Sequence, residues 1–512
     1  MTNERFKNLQ KILKKNGKIL NFRYRGERTF VVVPGINHSK HVDLTKIDGL
    51  EFTEERMFFF LFLLKYSQTK IIYVTSRGFN TELFRYYVGL VSTSEEDLEK
   101  KMERLTHIEV DDIRNLPLVK KVLENTKVIS IIRKNISDPA KTVLRCYNAT
   151  DLERRLAIAV GVPLFGSDQK FDFIGSKSGG RKVFRLAKTN VIPGFEDLKN
   201  TTELMTATIK LAKKYPSYKK MVIKCNYAAS GKGNCIIKIS DFFEDLNIDR
   251  TKTDSDKIAK ILKRNLHDYL SYQKPDETFE TYMAKFNKSG GIVELFVPGM
   301  VKYSPSTQVI INANKKATIT STHEQVLGGP DGQLYMGCRF PALPSHRKLI
   351  IKEGEKIASV LSKKGIIGNF AIDYVVVYDK NHANPIVKPI EINLRKGGTT
   401  HPFRAAFFLT GAKYNPNTGN LMCGQTRIHY IAMEIIHSES YKKLKPMELI
   451  KIVEKSKLDF NMNTKKGALI YSPGTTTDFG KFSALCIGHS DDEAEDIYKK
   501  LVKLVNSKAK QA

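Results

Sequence analysis

The sequence predicts a multidomain protein of mixed α/β and α+β class. Its 512 residues exceed what one hydrophobic core holds. The chain opens with alternating strand and helix patterns, and two pairs of short apolar runs joined by tight turns follow later. We expect three domains, at residues 1–150, 151–290 and 291–512.

The first domain is predicted from the alternation of its elements. RTFVVVPG (28–35) is a β-branched run ended by Pro-Gly, a helical pattern covers 53–66, and KIIYVTS (70–76) is a second strand. Charged helices are expected around 94–105 and 116–128. Alternating strands and helices are typical of a parallel sheet with crossover helices, so a small α/β domain is expected.

The second domain begins with a helix, DLERRLAIAVG, for which Asp151 is the predicted N-cap and Gly161 the predicted stop. GSKSGGRKVFRLAKTNVIPG (175–194) predicts a loop, an amphipathic helix and a Pro-Gly exit. A helix near 202–214, a hairpin, and a long basic helix near 254–272 are expected to follow.

Composition excludes some classes of protein. Six cysteines without C-x-x-C spacing argue against a disulfide framework or a structural zinc site. The most apolar run, 57–64, is far shorter than the roughly 20 residues that cross a bilayer, and a signal-peptide pattern is not recognised. We therefore expect a soluble, cytoplasmic protein without a membrane partner.

The formal charge of +30 has two interpretations. It can attract nucleic acid or another anionic partner, or it can reflect a lysine-rich host proteome. The basic residues are spread along the chain, whereas nucleic-acid binders usually concentrate them on one face. The second interpretation is the better supported, and nucleic acid is not excluded.

A small-residue loop lies between two short strands in KKMVIKCNYAASGKGNCIIKI (219–239). Small residues let backbone N–H groups approach phosphate oxygens, and Lys224 at the end of the strand adds a positive charge. An ordinary hairpin turn has the same composition and is the alternative. The loop is not a Walker motif, because Asn226 stands where that motif needs its first Gly.

The sharpest pattern is a second hairpin formed by NFAIDYVVVYD (369–379) and PIVKPIEINLR (385–395). If its turn centres on His382, Asp373 lies directly opposite Glu391, and Asn393 and Arg395 share a face with Glu391. Two carboxylates and an amide oxygen suit Mg²⁺, and a guanidinium suits an anion bound beside it. The alternative is a solvent-exposed ladder, but opposed carboxylates without a cation would be destabilising.

With these residues the chain resembles the ATP-grasp superfamily. VIKCNYAASGKGN is similar to its central lysine and mobile phosphate-covering loop, and Lys177 to an earlier nucleotide-binding lysine. Four longer strings resemble the pheganomycin-type peptide ligases, which carry a Rossmann-like pre-ATP-grasp domain before the ATP-grasp fold. These strings are GSKSGGRKVFR, SPSTQVII, STHEQVLGGPDGQLYMGCRFPA and EINLRKGGTTHPF.

The resemblance implies a role for each site residue. Catalysis falls to Lys224 and Arg395, and metal binding to Asp373, Glu391 and Asn393. The ATP contacts are Lys177, Lys224, Ala229, Ser230, Gly231, Lys232, Gly233, Glu294, Leu295, Phe296 and Val297. The substrate contacts are Lys396, Gly397, Gly398, Thr399, Thr400 and His401, for which a Gly-Gly turn with a buried histidine is the alternative. The hinge departs from the common pattern, since IVELFVPG carries only Glu294 where two adjacent acidic residues are usual.

The implied activity is ATP-dependent ligation of a carboxylate and an amine through an acyl phosphate. ATP and two Mg²⁺ ions, replaceable by Mn²⁺, are the expected cofactors, and small molecules or peptides the expected substrates. Dimers or tetramers are common in this fold, so a homo-oligomer is an open expectation. Two alternatives remain: phosphoryl transfer without amide formation, and a basic ATP-binding protein without turnover that contacts nucleic acid or acidic partners.

Overall fold

A computed structural model describes residues 2–37, 49, 51–228, 233–272, 276–297, 302–328, 332, 334–378 and 384–511. Its first unit is a four-stranded parallel sheet of order β3-β2-β1-β4, as the sequence predicted. The strands are β1 Arg28–Val33, β2 Thr69–Ser76, β3 Leu105–Val110 and β4 Thr142–Cys146. The α-helices are α1 Thr2–Lys15, α2 Glu82–Gly89, α3 Glu95–Met102, α4 Leu118–Glu124, α5 Thr126–Lys134 and α6 Asp151–Val160. The described 3₁₀ helices lie at Gly17–Leu20, Glu51–Lys65 and Pro139–Lys141.

Two local predictions in this unit need correction. The helix expected at 53–66 is a 3₁₀ helix, Glu51–Lys65, and Met57 to Leu64 are buried on all sides of it. Asp151 is not the N-cap of α6. Thr150 is the cap, because its hydroxyl accepts from Leu152 N and the Glu153 carboxylate accepts from Thr150 N, which is a capping box. Gly161 ends α6 with φ +83°, as expected.

The second unit is a five-stranded antiparallel sheet of order β5-β9-β6-β7-β8. Its elements are α7 Lys177–Leu186, β5 Gly194–Leu198, α8 Thr201–Lys214, β6 Met221–Cys225, β7 Asn234–Ile237, α9 Ile239–Asp245, α10 Ser255–Asn265, β8 Leu270–Tyr272, α11 Phe279–Ser289 and β9 Gly291–Leu295, with 3₁₀ turns at Gln169–Gly175 and Leu266–Tyr269. The long basic helix predicted near 254–272 is wrong in length, because its last residues leave the helix and pair with β7 as β8.

The third unit is an eleven-stranded antiparallel sheet, in which the path β10-β14-β11-β12-β13-β18-β17-β16 is extended by β15 on β14 and by β20 and β19 on β18. Its elements are β10 Lys302–Tyr303, β11 Pro305–Ile311, β12 Ala317–Gly328, β13 Leu334–Phe340, α12 Pro344–Lys363, β14 Gly368–Tyr378, β15 Pro385–Asn393, α13 Thr400–Thr410, β16 Lys413–Asn415, β17 Asn420–Cys423, β18 Thr426–His437, α14 Pro446–Lys455, β19 Gly467–Tyr471, α15 Thr475–Phe479, β20 Lys481–Gly488 and α16 Asp491–Gln511, with a 3₁₀ turn at Glu439–Lys443.

The largest hydrophobic core joins the first and third units. Phe30 of β1 and the apolar run at 57–64 belong to the same buried cluster as Phe403 of α13, Tyr430 of β18 and Leu485 of β20. A separate cluster fills the second unit around Ile223. The first parallel sheet is therefore packed onto the large antiparallel sheet and not merely tethered to it.

Among the described residues, the longest helices are too short or too polar to cross a bilayer. The domain limits at 150 and 290 stay predictions.

Candidate functional site

The hairpin of β14 and β15 brings the predicted acidic pair together. Asp373 is the cross-strand partner of Glu391, and Ala371 is the partner of Asn393, as the predicted register requires. The register then shifts, because Tyr374 pairs with Pro389 and Ile390 becomes an extra residue on β15. A bulge of this kind bends a strand and redirects its side chains, and here it lies beside the two carboxylates. The turn itself, with His382, lies outside the described residues.

Each carboxylate of this pair has its own partners. Asp373 accepts from Gln325 Nε2 and from Asn393 Nδ2, each at 2.9 Å. Lys177 Nζ lies 2.6 Å from Glu391 Oε1. Burial and the charge of Glu391 raise the pKa of Asp373. Burial is the largest influence and opposes the charged form of Glu391, but Lys177, Arg395 and Lys224 together outweigh it and hold the pKa of Glu391 below its usual range.

This donor set fits Mg²⁺. No group of three histidines, cysteines or carboxylates that could hold a metal ion occurs in the described ranges, so a fully protein-built cage is absent there. Mg²⁺ usually needs only one or two carboxylates, with substrate phosphates and water as its remaining ligands. Asp373 and Glu391 could supply these carboxylates, because the charge of Glu391 raises the pKa of Asp373 and a bound cation would offset that repulsion.

Lys224 is the residue before the last of strand β6 and belongs to a second, buried charge network. Its Nζ donates to Glu294 Oε1 at 2.6 Å, and Arg181 donates to Glu294 Oε2 at 2.7 Å. Glu294 is only 3% exposed and is held between these two cations. Lys177 and Arg181 are four residues apart on α7, so one helix face supplies a cation to Glu391 and another to Glu294.

The three units meet at a cavity of about 130 Å³. Its lining includes Asn148 after β4, Asp168 and Asp172 before α7, Asn226 after β6, and Glu391 of β15. Asn393, Arg395, Tyr227 and Ala228 also line it. The structure therefore brings three predicted site residues, Glu391, Asn393 and Arg395, to the start of the small-residue loop.

The remaining predicted ATP contacts are placed unequally. Ala229, Ser230, Gly231 and Lys232 lie outside the described residues, whereas Gly233 packs against Ala228, where a Cβ would come within 2.3 Å of its methyl group. Leu295 is buried in β9, and its N–H donates to Pro193 O. Phe296 N donates to Lys220 O, and Val297 is half-buried.

The predicted substrate segment follows the β14–β15 hairpin along the chain and runs into the interior of the protein. Arg395 donates to Lys396 O at 3.1 Å, and Lys396 Nζ, buried, donates to Cys146 O. Burial lowers the pKa of Lys396 to about 7. A Cβ on Gly397 would meet no atom within 4 Å, so this residue borders open space.

The end of that segment starts α13 and is buried. Thr399 is buried, and Thr400 Oγ1 donates to Gln308 Oε1 at 3.4 Å. His401 is 3% exposed, and its Nδ1 lies 2.8 Å from Arg56 O. Burial lowers the pKa of His401 to about 3, so it is neutral at ordinary pH. His401 is thus a buried histidine that follows a Gly-Gly turn, as the alternative interpretation of this segment describes it.

Sequence reasoning missed Gln325, Arg181 and Asn226. The i, i+4 spacing of Lys177 and Arg181 was available to find the second cation. Asn226 accepts from Ser178 N at 3.0 Å and donates to Ser289 O at 3.1 Å, which joins α7 to α11. Gln325 of β12 reaches Asp373 of β14 across the intervening strand β11, and a single sequence gives no indication of that contact.

Residues 170–417 match the family of IQCH-like ATP-grasp domains. The chain is 26% identical over 476 residues to L-propargylglycine–L-glutamate ligase of Streptantibioticus cattleyicolor, and the match covers 91% of this chain and 92% of that protein. It is 21% identical over 428 residues to IQ motif-containing protein H of Danio rerio, and this match covers 77% of this chain but 40% of that larger protein.

Among solved structures, the chain is similar to biotin carboxylase from Campylobacter jejuni in complex with a β,γ-ATP compound. The TM-score is 0.53 at 12% identity, and the match covers 94% of this chain and 95% of that one. At this identity the likeness shows the fold alone. The family match identifies an ATP-grasp region at residues 170–417, slightly less than half of the chain, and the fold resembles that of biotin carboxylase over nearly the whole chain.

Proposed function

We propose that the chain is an ATP-dependent carboxylate–amine ligase that forms an amide bond through an acyl phosphate. The observation that carries this proposal is the Asp373–Glu391 pair, held in register on β14 and β15 beside the ammonium of Lys177. Glu391 of this pair lines the cavity to which all three units contribute, and such a place suits a reaction that must position a nucleotide and two further substrates.

The reaction has two steps. An oxygen of the substrate carboxylate attacks the γ-phosphorus of ATP and ADP leaves, which gives an acyl phosphate. The amine nitrogen then attacks the acyl carbon and orthophosphate leaves. Phosphoryl transfer spreads negative charge over the transferring oxygens, so preorganised cations matter more than covalent help from the protein. Mg²⁺ bound by Asp373, Glu391 and Asn393 would supply further positive charge at the phosphates.

Lys177, Lys224 and Arg395 are the proposed phosphate-binding cations. Lys177 and Lys224 are each held by a carboxylate, so their positions are fixed before the nucleotide arrives. Glu294 is proposed to orient Lys224, and the segment Leu295 to Val297 to border the adenine. The loop Ala229 to Gly233 is proposed to cover the phosphates and exclude water.

Amino acids are the proposed substrates, since the curated relative is named for joining two of them. Residues Lys396 to His401 are proposed to border the acyl and amine substrates. We further propose two Mg²⁺ ions with Mn²⁺ as a substitute, action in the cytoplasm, a homo-oligomer, and domains divided near 150 and 290. Nucleic acid is not a proposed partner, because the net charge of +30 is spread along the chain.

The test is orthophosphate release from Mg-ATP against a panel of amino acids, singly and in pairs, with Glu391→Gln as the inactive control. Release that needs both a carboxylate and an amine, and that disappears in the variant, would support the ligase. Release with a carboxylate alone would indicate phosphoryl transfer without amide formation. ATP binding without any release would favour a binding protein.

A further inference from the structure

A second charged pair lies beside the predicted substrate segment. Arg56 comes from the 3₁₀ helix of the first unit and Glu434 from β18 of the third, and Arg56 Nη2 lies 3.0 Å from Glu434 Oε2. The side chains are 26% and 11% exposed, so the pair is neither a surface bridge nor sealed in the core. A solvent-exposed pair would contribute little, whereas charges at this depth are costly unless a partner is always present.

The pair borders the Gly397–Gly398 turn. A Cβ on Gly398 would lie 2.3 Å from Glu434 Oε1 and 2.7 Å from a ring carbon of Tyr335, so glycine is what allows the carboxylate to reach the turn. Gly397 next to it faces open space. The turn follows the end of β15 at Asn393 by only a few residues, so the pair lies near the end of the hairpin that carries Glu391.

The backbone of β18 is irregular at Glu434. Met433 pairs with Ala484 and Ile436 with Phe482, so Glu434 and Ile435 together oppose Ser483. Bulges redirect a side chain and are frequent next to active sites. Here the bulge turns a carboxylate toward the Gly-Gly turn, at the cost of regular pairing with β20.

Two buried polar atoms beside the pair, His401 Nε2 and Tyr471 Oη, have no hydrogen-bond partner among the described residues. The same is true of Ser472 Oγ, on the residue that follows Tyr471 in the chain. The ring centroids of His401 and Tyr471 are 4.4 Å apart. The second ring nitrogen of His401, Nδ1, contacts the backbone carbonyl of Arg56. Buried polar groups are nearly always paired, so a cluster of unpaired ones indicates a position for a ligand or water.

Ser472 adds backbone strain to the same cluster. Its φ is +58°, in the left-handed region that a serine adopts at a cost, and it directly follows Tyr471. Non-glycine residues are held in this conformation where the surroundings require it, often at binding sites.

We propose that Arg56 and Glu434 bind the head group of the amine substrate, an α-amino acid. The guanidinium contacts the substrate carboxylate and the Glu434 carboxylate contacts the substrate ammonium group. A zwitterion inserted between them exchanges one ion pair for two, so neither protein charge is left buried without a partner. This inference rests on the proposed ligase function and deepens it, because it names the residues that recognise the charged head group of the proposed amino-acid substrate.

The test measures binding, so that it does not depend on turnover. The full chain, with Mg²⁺ and a non-hydrolysable ATP analogue, is titrated calorimetrically with L-glutamate, L-alanine and L-valine, with their α-methyl esters, and with their N-acetyl derivatives. For at least one amino acid, we expect wild type to bind the free form at least about tenfold more tightly than either derivative, because a site built for a charged group rejects an analogue that lacks it.

The variants separate the two contacts. In Arg56→Met the ratio of the affinity for the free acid to that for the methyl ester should fall toward one. In Glu434→Gln the ratio of the affinity for the free amine to that for the N-acetyl form should fall toward one. Arg56→Lys should keep part of the acid preference. Arg339→Met is the matched control, since Arg339 on β13 pairs with Glu495 in the same unit, and it should keep both preferences.

Each outcome decides the proposal. Unchanged preferences in Arg56→Met and Glu434→Gln, or wild type that binds esters as tightly as acids or binds none of the three amino acids, would overturn the site. If phosphate release still needs a carboxylate and an amine in that case, the ligase proposal stands alone. If release fails while the binding preferences behave as expected, the ligase proposal falls and the amino-acid site stands.

Discussion

Lys177 and Glu391 form an ion pair of 2.6 Å that joins helix α7 to strand β15. The lysine is 7% exposed and the glutamate side chain 26%, and the glutamate belongs to the carboxylate pair of β14 and β15. The contact joins a nucleotide-binding candidate directly to a metal-binding candidate. A change on either side should therefore affect both functions.

Glu391→Gln should lower turnover by at least about 100-fold, because it removes one of the two carboxylates and the partner of Lys177. The fold should survive, since the substitution also removes the repulsion with Asp373. Phosphate release and thermal unfolding measure the two effects. A variant that keeps more than a tenth of wild-type turnover would contradict the assignment of the metal site.

Glu294→Gln should destabilise the fold by about 3–5 kcal/mol, because it leaves Lys224 buried without a carboxylate and leaves Arg181 with Glu196 alone. Lys224→Met should cost less, because Glu294 keeps Arg181, yet it should weaken ATP binding. Urea unfolding and calorimetric ATP titration separate the two effects. Asp197→Asn is the control, since its exposed pair with Lys182 is worth about 0–1 kcal/mol. Equal losses of stability in the two site variants would contradict this network.

Stability should depend on pH through Glu55. This carboxyl is 2% exposed and accepts from Gly474 N, and burial raises its pKa from 4.5 to about 8. Between these values the folded chain holds a proton that the unfolded chain releases, so this group makes the free energy of unfolding fall as pH rises.

Glu55→Gln removes that dependence. Its stability relative to wild type should increase from pH 5 to 8, by at most about 1.4 kcal/mol per pH unit. Glu54→Gln is the companion, because burial raises the pKa of Glu54 to about 7 and its gain should level off earlier. Urea midpoints at each pH test this, and parallel profiles for all three proteins would refute it.

Gly397→Ala and Gly398→Ala should behave differently although they are neighbours. A methyl group on Gly397 meets no atom within 4 Å, so stability should change by less than about 0.5 kcal/mol while turnover falls as the substrate space narrows. A methyl group on Gly398 would collide with Glu434 and Tyr335, so both stability and turnover should fall. Thermal unfolding and phosphate release check both variants, and a stable Gly398→Ala would argue against the tight contact with Glu434.

The hairpin of β14 and β15 and its Asp373–Glu391 pairing were predicted from a regular register centred on His382. Nearer the turn the pairing is shifted by one residue, since Tyr374 faces Pro389, and the bulge at Ile390 brings Glu391 back opposite Asp373. The bulge at Ile390 was not predictable, since one extra residue changes the register without changing the apolar pattern. The predicted end of α10 was wrong because residues 270–272 pair with β7, and this pairing outweighs their preference for a helix.

Contacts between distant segments were beyond a single sequence. Arg56 and Glu434 are 378 residues apart, and Gln325 and Asp373 are 48 apart. Neither pair has a spacing that a helix or a hairpin would impose. The Arg56–Glu434 contact depends on how the first and third units pack around their shared apolar core, and the Gln325–Asp373 contact depends on the order of β12, β11 and β14 in the large sheet.

That shared core has a consequence for chimeras. Exchanging residues 1–150 for the corresponding part of a relative would replace the apolar run at 57–64 but not the faces of α13 and β18 against which it packs. At 26% identity the two halves of such a hybrid would carry side chains selected against different partners. The predicted domain boundary near residue 150 is thus a poor crossover point for chimeras. Recombination should succeed only when the C-terminal strands and the N-terminal sheet come from the same parent.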